Sequence, residues 1–290
     1  MRRFDRCVRR LSAVLAIAVV GLVAACSDAP TAGGDTLERA RAAGTLRVGY
    51  ANEAPYAYLD PASGELTGEA PTLARAVLPE LGIGSIEAVL TEFGSLIPGL
   101  KAGRFDVIAA GMFITPQRCE QIQFSEPSYG IGQAFLVAEG NPEGIVDYGS
   151  IAENSDLTLA VMAGAVEADY AAQSGVDESQ LMILPDQASL ASAVRSGRAD
   201  AAALTALSIV QMAEANEGVE ATEPFGEVAG ESVVGHGGFG FRPDDTELYE
   251  AFNAELQDFI GSDEHIALVS EFGFGEGFLP TKTTEELCAG

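Results

Sequence analysis

Arg118 stands where a guanidinium could bind a carboxylate. It follows Thr115 and Pro116, and proline is favoured in the first turn of a helix. The backbone N–H groups of a helix start are free to bind an anion, and a guanidinium can hold a carboxylate by two parallel hydrogen bonds. A surface arginine without a ligand is the alternative. The pattern favours a ligand that carries a carboxylate group.

Three aromatic residues, Tyr56, Phe93 and Phe113, follow segments that read as strands. Tyr56 lies in a loop after a proline, Phe93 precedes a glycine, and Phe113 ends a buried strand. Because open α/β sheets bind ligands at the carboxyl ends of their strands, the three rings could converge on one point. Ring faces attract a delocalised cation, with roughly 0.5–2 kcal/mol for each good contact. Packing in the core is the alternative for each ring.

Two glutamates could supply the negative charge that such a cation needs. Glu53 lies in the loop after the first strand, and Glu167 follows the sequence Gly-Ala-Val near a helix start. N–H groups at a helix start help to keep a carboxylate ionised. Either residue could instead be a solvated surface acid. Further candidates for the rim of this site, with no role assigned, are Thr205, Glu69 and Asp186.

Residues 1–26 have the pattern of an export signal. Five arginines precede an apolar run at residues 11–25, and the sequence Leu-Val-Ala-Ala-Cys ends at Cys26. This ending resembles a bacterial lipobox, where a peptidase cuts and the cysteine is lipidated; an ordinary secretory signal is the alternative. No other stretch is apolar enough to cross a bilayer. We expect a lipoprotein signal peptide at 1–26, a flexible tether at 27–36, and a protein anchored to the outer face of the cytoplasmic membrane.

The chain is strongly acidic, with 43 acidic and 16 basic residues and a formal net charge of −27. Removal of residues 1–26 would take away five arginines and Asp5, which changes −27 to −31. Such a surface repels nucleic acid and anionic lipid, so neither is expected as a partner. Hydrophobic residues make up 47% of the chain, so the surplus of acid does not prevent a core from forming.

The four cysteines divide into two pairs with different fates. Cys7 would be lost with the signal, and Cys26 would carry the lipid, which leaves Cys119 and Cys288. An even pair outside the cytoplasm favours a disulfide between them. Two free buried thiols are the alternative.

The sequence shows no pattern for metal or cofactor chemistry. His236 and His265 are far apart, so no metal-ligand spacing appears. The glycine-rich run at residues 235–238 reads as a loop and lacks the Lys-Ser or Lys-Thr of a phosphate loop. No serine stands in a nucleophile-elbow sequence. We therefore expect neither a metal nor a cofactor.

Strands and helices alternate along the chain in two series. Apolar-rich segments predict strands at residues 45–50, 86–90, 106–110, 134–137, 157–162, 181–184, 200–204 and 239–241. Helical spacing of apolar residues occurs at 71–81, 96–102, 164–172, 189–196 and 248–260. The sequence Gly-Arg-Phe-Asp at 103–106 is mirrored by Gly-Arg-Ala-Asp at 197–200, each between a short helix and a buried strand. Two α/β lobes of related design are predicted.

Six segments in the right order resemble a known family: residues 45–50, 54–56, 96–100, 103–106, 111–118 and 124–127. They resemble the type-3 extracellular solute-binding proteins of polar amino-acid ABC importers. Segments at residues 52–55, 68–71, 91–95 and 162–167 resemble the ectoine/hydroxyectoine-binding subgroup. The resemblance implies an α/β, two-lobe periplasmic-binding-protein-like (type II) fold with two hinge crossings, near 134–138 and 238–242. Lobe 1 would comprise residues 37–136 and 240–290, and lobe 2 residues 137–239.

The resemblance also implies a ligand. The family places its carboxylate-binding arginine at the motif of Arg118. Amino-acid binders usually have a hydroxyl residue where Phe113 stands, and an aspartate after the strand at 200–204, where this chain reads Leu-Thr-Ala. An exchange of acid for rings suits a cyclic amidinium, so ectoine and 5-hydroxyectoine are the predicted ligands. The predicted binding residues are Glu53, Tyr56, Phe93, Phe113, Arg118 and Glu167.

The predicted function is that of a monomeric binding protein, and not an enzyme. It would hand its ligand to a membrane permease driven by a cytoplasmic ATPase. A polar amino-acid binder for arginine, glutamine or similar is one alternative. A cyclic-acid dehydratase of the same fold is another, with Glu53 and Glu167 as its acid/base pair. A sensory ectodomain is the third.

Overall fold

The computed structural model describes residues 36–228 and 230–289. The predicted signal peptide, the lipid-bearing Cys26 and the tether up to residue 35 lie outside the described residues. Within this range, no helix combines the length and apolar character that a membrane span requires. The described residues all belong to one contact unit, so contacts between the two lobes are part of the structure.

The strands, in chain order, are β1 Thr45–Tyr50, β2 Tyr58–Leu59, β3 Leu66–Thr67, β4 Ser85–Leu90, β5 Val107–Phe113, β6 Gln123–Phe124, β7 Tyr129–Ile131, β8 Gln133–Ala138, β9 Leu159–Met162, β10 Leu181–Leu184, β11 Ala201–Thr205, β12 Val219–Ala221, β13 Glu227–Val228, β14 Glu231–Ser232 and β15 Gly235–Phe241. The helices are α1 Thr36–Ala43, α2 Glu69–Val77, α3 Leu96–Lys101, α4 Pro116–Cys119, α5 Tyr148–Ala152, α6 Glu167–Gln173, α7 Gln187–Arg195, α8 Ala206–Ala215, α9 Thr246–Phe259, α10 Asp263–Val269 and α11 Thr284–Ala289.

Two separate sheets form the cores of the two lobes. The first has the order β4-β1-β5-β15-β6, with β7 also paired to β15, and the second has the order β10-β9-β11-β8-β12. The parallel strands β4, β1 and β5 and their counterparts β10, β9 and β11 follow the strand–helix rhythm of the sequence. In each sheet an antiparallel strand, β15 or β8, completes the centre. This architecture agrees with the predicted two-lobe α/β fold.

The chain passes between the sheets just before β8 and just before β15. Strand β8 pairs in the second sheet from Gln133 onward, and β15 pairs in the first sheet from Gly235 onward. The two connections between the sheets therefore precede the strands at which the hinge crossings are predicted. The two connections are hydrogen-bonded to each other, because the N–H groups of Gln133 and Phe225 each donate to the other's carbonyl at 2.8 Å. A side chain on Gly132 would lie 2.4 Å from the Phe225 carbonyl, so this approach requires glycine.

The mirrored Gly-Arg-x-Asp segments adopt the same structure in both lobes. Gly103 and Gly197 have φ of 68° and 67°, the left-handed conformation that ends a helix and favours glycine. The N–H of Asp106 donates to the carbonyl of the first sheet's Arg47 at 2.8 Å, and the N–H of Asp200 donates to Thr158 at 2.9 Å. The predicted internal repeat is therefore present in the structure.

Strand β15 begins earlier than expected, because its first residues look like a loop in the sequence. The glycine-rich run at 235–238 and His236 are part of the strand. A Cβ on Gly235 would lie 2.0 Å from the ring of Phe113, and one on Gly237 would lie 2.2 Å from the hydroxyl of Tyr129. The glycines allow aromatic rings to pack directly on the strand, which places the Phe113 ring beside the lobe junction.

The C-terminal segment is fastened to the helix that carries Arg118. Cys119 at the end of α4 and Cys288 in α11 form the predicted disulfide in the structure, with their Cα atoms 5.7 Å apart. The Thr284 hydroxyl donates to the Ser125 carbonyl at 2.6 Å, and the Thr284 N–H donates to Glu126 at 3.0 Å. The last helix thus supports the segment that follows α4.

We expect loss of this disulfide to lower the free energy of unfolding. It closes a loop of 169 residues, and removal of a native disulfide typically costs about 2–5 kcal/mol. Urea unfolding of the Cys119→Ser/Cys288→Ser variant beside the wild-type protein measures this loss. Thiol titration of unfolded, unreduced protein without residues 1–26 is the control; two reactive thiols per chain would show that the bond does not form.

Candidate functional site

A pocket lies between the two lobes, and we call it the interlobe pocket. Its lining comes from the loops that follow β1 and β4, from the carboxyl ends of β5, β9 and β11, and from the loops and helices that follow these three strands. Strand ends are where open α/β sheets place ligands. The residues that line it are Glu53, Phe93, Gly111, Phe113, Arg118, Met162, Ala165, Val166, Glu167, Leu204 and Thr205.

Arg118 spans the pocket from the first lobe to the second. Thr115 caps α4 and accepts a hydrogen bond from the Arg118 N–H at 3.3 Å. The Arg118 Nη1 donates to the Phe113 carbonyl at 2.7 Å, and Nη2 donates to the Gly164 carbonyl of the other lobe at 2.9 Å. Burial lowers the pKa of the guanidinium below its usual value. A guanidinium has five N–H groups, so two bonds to carbonyls leave donors for a carboxylate.

Glu53 and Glu167 face this guanidinium from opposite lobes, and both are buried. Burial raises the pKa of Glu53 to about 7, against the opposing effects of the Ser208 hydroxyl and the Arg118 charge. Burial also raises the pKa of Glu167 to about 8, and the nearby charge of Glu53 adds to the effect. Two acids and one permanent cation therefore share the pocket, which disfavours ionisation of both acids at once.

The rings of Phe93 and Phe113 form part of the apolar lining of the pocket. The guanidinium carbon of Arg118 lies 5.5 Å from the centre of the Phe93 ring, a cation–π distance. The Phe113 ring stands 6.3 Å from that of Tyr129, with an interplanar angle of 53°. Five of the six predicted site residues thus line one pocket.

Tyr56 is the exception, because it lies behind the pocket and does not line it. Gly111 has φ of 64°, and a Cβ there would be 2.3 Å from the Tyr56 ring. The ring can therefore pack on the backbone of β5 and against Tyr129, 5.1 Å away between centroids. Its hydroxyl donates to the Thr205 Oγ1 at 2.8 Å. Tyr56 contacts the lining residues Gly111 and Thr205 without lining the pocket itself, so direct contact with a ligand remains a prediction.

Gln133 is a site residue that the sequence interpretation missed. It is fully buried at the start of β8. With its nitrogen facing these acceptors, its amide donates to the Glu167 Oε1 at 3.0 Å and to the Leu204 carbonyl at 3.1 Å. The other carboxyl oxygen of Glu167, Oε2, has no hydrogen-bond partner among the described residues. A single polar residue in the otherwise apolar segment Gln-Ala-Phe-Leu-Val-Ala was the available signal.

The three rim candidates have different positions. Thr205 lines the interlobe pocket. Asp186 caps α7 by accepting the Ser189 N–H at 2.7 Å. Glu69 lies in a separate small cavity of the first lobe, where it accepts a hydrogen bond from the Ser128 hydroxyl at 2.6 Å.

Among the described residues, no group of His, Cys, Asp and Glu side chains could hold a metal ion.

Two glycines meet where the lobes touch beside the pocket. Gly94 follows Phe93 in the first lobe, and Gly164 belongs to the second. A Cβ on Gly164 would lie 2.6 Å from the Cα of Gly94, and one on Gly94 would lie 3.1 Å from the Ala163 carbonyl. Backbone therefore touches backbone at this point, and the structure is closed around the pocket.

We expect Glu167→Gln to flatten the pH dependence of stability. Folding raises the pKa of this carboxyl from 4.5 to about 8, so the folded protein binds more protons than the unfolded chain between these values. The stability from this group is fully present below pH 4.5 and is lost as the pH rises through 8. Urea unfolding of the variant from pH 5 to 8.5 should show a smaller decline than the wild type. Glu178→Gln, at an exposed position of the same lobe, is the control, and an unchanged slope in Glu167→Gln would contradict the assignment.

Comparison with known proteins places the chain in a family. Residues 46–276 match the bacterial extracellular solute-binding proteins, family 3. A probable amino-acid ABC transporter periplasmic-binding protein of Sinorhizobium fredii is 38% identical over 269 residues, which is 90% of this chain and 89% of the relative.

Two solved structures share the fold over most of the chain. The structure of EhuB in complex with hydroxyectoine has a TM-score of 0.81 and 33% identity, and the match covers 88% of this chain and 98% of EhuB. The ancestral amino acid-binding protein AncCDT-1, a precursor of cyclohexadienyl dehydratase, has a TM-score of 0.71 and 28% identity, with 82% of this chain and 99% of that protein covered. The predicted type II two-lobe fold is confirmed, and the chain belongs to the family 3 bacterial extracellular solute-binding proteins.

Proposed function

We propose that the protein is the ligand-binding component of an ABC importer, and that it binds ectoine and 5-hydroxyectoine in the interlobe pocket. The observation that carries this proposal is that one buried guanidinium, two buried carboxyls and two phenyl rings line the same pocket. The pocket thus offers a positive end, a negative end and ring faces. A small zwitterion with a delocalised cation complements all three.

The polarity of the pocket sets the orientation of this ligand. Arg118 binds the ligand carboxylate, because its guanidinium is the only positively charged group that lines the pocket in the described chain. Glu53 and Glu167 bind the cationic end in the plane of the ring, while Phe93 and Phe113 contact its faces. The likeness to a hydroxyectoine complex at 33% identity supports a ligand of this kind.

An amino-acid ligand is the second candidate, favoured by the amino-acid binding named for the Sinorhizobium relative and for AncCDT-1. The lining of the pocket argues against it. A primary ammonium requires compact acceptors around three N–H groups. The end of β11 offers Leu204 and Thr205, not an acid, and the Thr205 oxygen already accepts the Tyr56 hydroxyl.

We propose that the protein does not catalyse a reaction and that it is anchored to the membrane by a lipid. Glu53 and Glu167 hold the ligand instead of exchanging protons with it. Recovery of ligand chemically unchanged after long incubation with the protein tests this against a dehydratase. A lipid on Cys26 would keep the protein at the outer face of the cytoplasmic membrane, beside the permease that receives the ligand.

Titration calorimetry with ectoine, 5-hydroxyectoine, arginine and glutamine tests the proposed ligands. We expect saturable binding of the first two and much weaker binding of the amino acids. Mass spectrometry of small molecules that co-purify with the protein is an independent readout. Tight arginine binding without heat from either ectoine would overturn the proposal.

Arg118→Ala should remove most of the affinity. Loss of one partner of a buried charged hydrogen-bonded pair costs about 2–5 kcal/mol, a reduction of about 30-fold or more. Phe113→Ser should weaken binding by about 2- to 30-fold, because one ring contact is worth about 0.5–2 kcal/mol. Calorimetry measures both losses. Arg198→Ala, at an exposed position, should bind as the wild type does, and unchanged affinity in Phe113→Ser would count against a role of the rings.

Ligand binding should also release protons near neutral pH. The pKa values of about 7 for Glu53 and about 8 for Glu167 leave both partly protonated at pH 7.5. A positive ligand charge beside them favours their ionised forms, so we expect release of about one proton per ligand. Calorimetry in two buffers of different ionisation enthalpy counts these protons. Glu167→Gln should release fewer, and an enthalpy that does not depend on the buffer would contradict this expectation.

A further inference from the structure

The loop of residues 52–56 forms a hydrogen-bonded turn of the first lobe that contacts the second lobe. Within the turn, the Glu53 and Ala57 N–H groups each donate to the other's carbonyl at 2.9 Å, and the Tyr56 N–H donates to the Glu53 carbonyl at 3.0 Å. These bonds hold the turn together from within the first lobe. Residues at the starts of α7 and α8, in the second lobe, form hydrogen bonds to this turn.

Gln187, the first residue of α7, bonds both backbone groups of Ala54. The Ala54 N–H donates to the Gln187 Oε1 at 3.0 Å, and the Gln187 Nε2 donates to the Ala54 carbonyl at 2.8 Å. One amide thus satisfies a donor and an acceptor of the opposite lobe. Neither residue lines the interlobe pocket, so these bonds do not involve the ligand.

Ser208, in the first turn of α8, bonds the same loop and is fully buried. Its Oγ lies 2.7 Å from the Glu53 Oε1 and 3.0 Å from the Ala54 carbonyl. A hydroxyl has one hydrogen to donate. Both contacts are therefore hydrogen bonds at once when Glu53 carries a proton and donates to Ser208, while Ser208 donates to Ala54. When Glu53 is ionised, the hydroxyl hydrogen points at the carboxylate.

We propose that Gln187 and Ser208 are positioning residues that latch the lobes together and orient Glu53 from the opposite lobe without contacting the ligand. The closed form then gains stability from bonds that are present before any ligand enters. Because the apparent affinity of a binding protein falls as the fraction of binding-competent molecules falls, the latch raises the affinity for ectoine and for 5-hydroxyectoine, which carry the same charges, by the same factor. This inference rests on the proposed function only for the choice of ligands in its test.

Small-angle X-ray scattering of ligand-free protein tests the latch directly. We expect Gln187→Ala and Ser208→Ala to increase the radius of gyration, because the lobes separate more often. We also expect each variant to weaken ectoine and 5-hydroxyectoine binding by the same factor, about fivefold or more. Gln187→Glu places a carboxylate oxygen against the Ala54 carbonyl, so it should open the lobes at least as much as Gln187→Ala.

The matched control is Gln173→Ala, an exposed glutamine at the end of α6 in the same lobe, which should behave as the wild type. Ligand-free variants with the wild-type radius of gyration would overturn the latch. Unequal losses for the two ligands would also overturn it, since they would indicate direct ligand contact. If the protein binds neither compound and the ligand-free variants still open, the latch stands and the proposed ligands are wrong.

Discussion

The burial of one guanidinium with two carboxyls between the lobes is the interaction on which the site depends. A charge removed from water is stable only beside an opposite charge or hydrogen-bond partners. Arg118 has both, because it bonds carbonyls of each lobe and faces Glu53 and Glu167. Burial raises the pKa of both acids, and the single Arg118 charge offsets this effect only in part. A ligand with a positive charge would supply the second cation that the two carboxyls lack.

The rest of the fold holds these three groups in place. Glycines in β15 allow the Phe113 ring to stand at the lobe junction, and Gln133 fixes one oxygen of Glu167. The disulfide and Thr284 support the segment around Arg118 from the C-terminal side. Each contact comes from a part of the chain distant in sequence, so the geometry of the site depends on the completed fold.

Residues at strand ends were the part of the site that the sequence could predict. Arg118, Phe113 and Glu167 stand beside local signals: a proline-led helix start, a buried strand and a glycine-led helix start. The sequence marks Gln133 only as a polar residue in an apolar strand and does not mark Ser208. The partners of both residues lie far along the chain; Ser208 lies 155 positions from Glu53. The position of Tyr56 behind the pocket also depends on a distant residue, since the absence of a side chain on Gly111 leaves room for its ring.

For the fold, the repeated Gly-Arg-x-Asp segments and the apolar strands predicted two related lobes. The start of β15 was missed because glycine has little preference for strands. The reason for Gly235 and Gly237 in this strand is the packing of the Phe113 and Tyr129 rings against it, which the sequence does not show. The passages between the sheets could be placed only approximately. Their position follows from the pairing of Gln133 with Phe225, which local sequence does not encode.

The contact between Gly94 and Gly164 has a consequence for which molecules fit. Side chains can adjust when a cleft shuts, but two backbones in contact cannot approach further. The contact between Gly94 and Gly164 therefore sets the smallest distance between the two lobes beside the pocket. A longer molecule would hold the backbones apart, and a shorter one would leave one end without its partner. We therefore expect the glycine pair to limit the size of the ligands that the closed pocket accepts, independently of their charge.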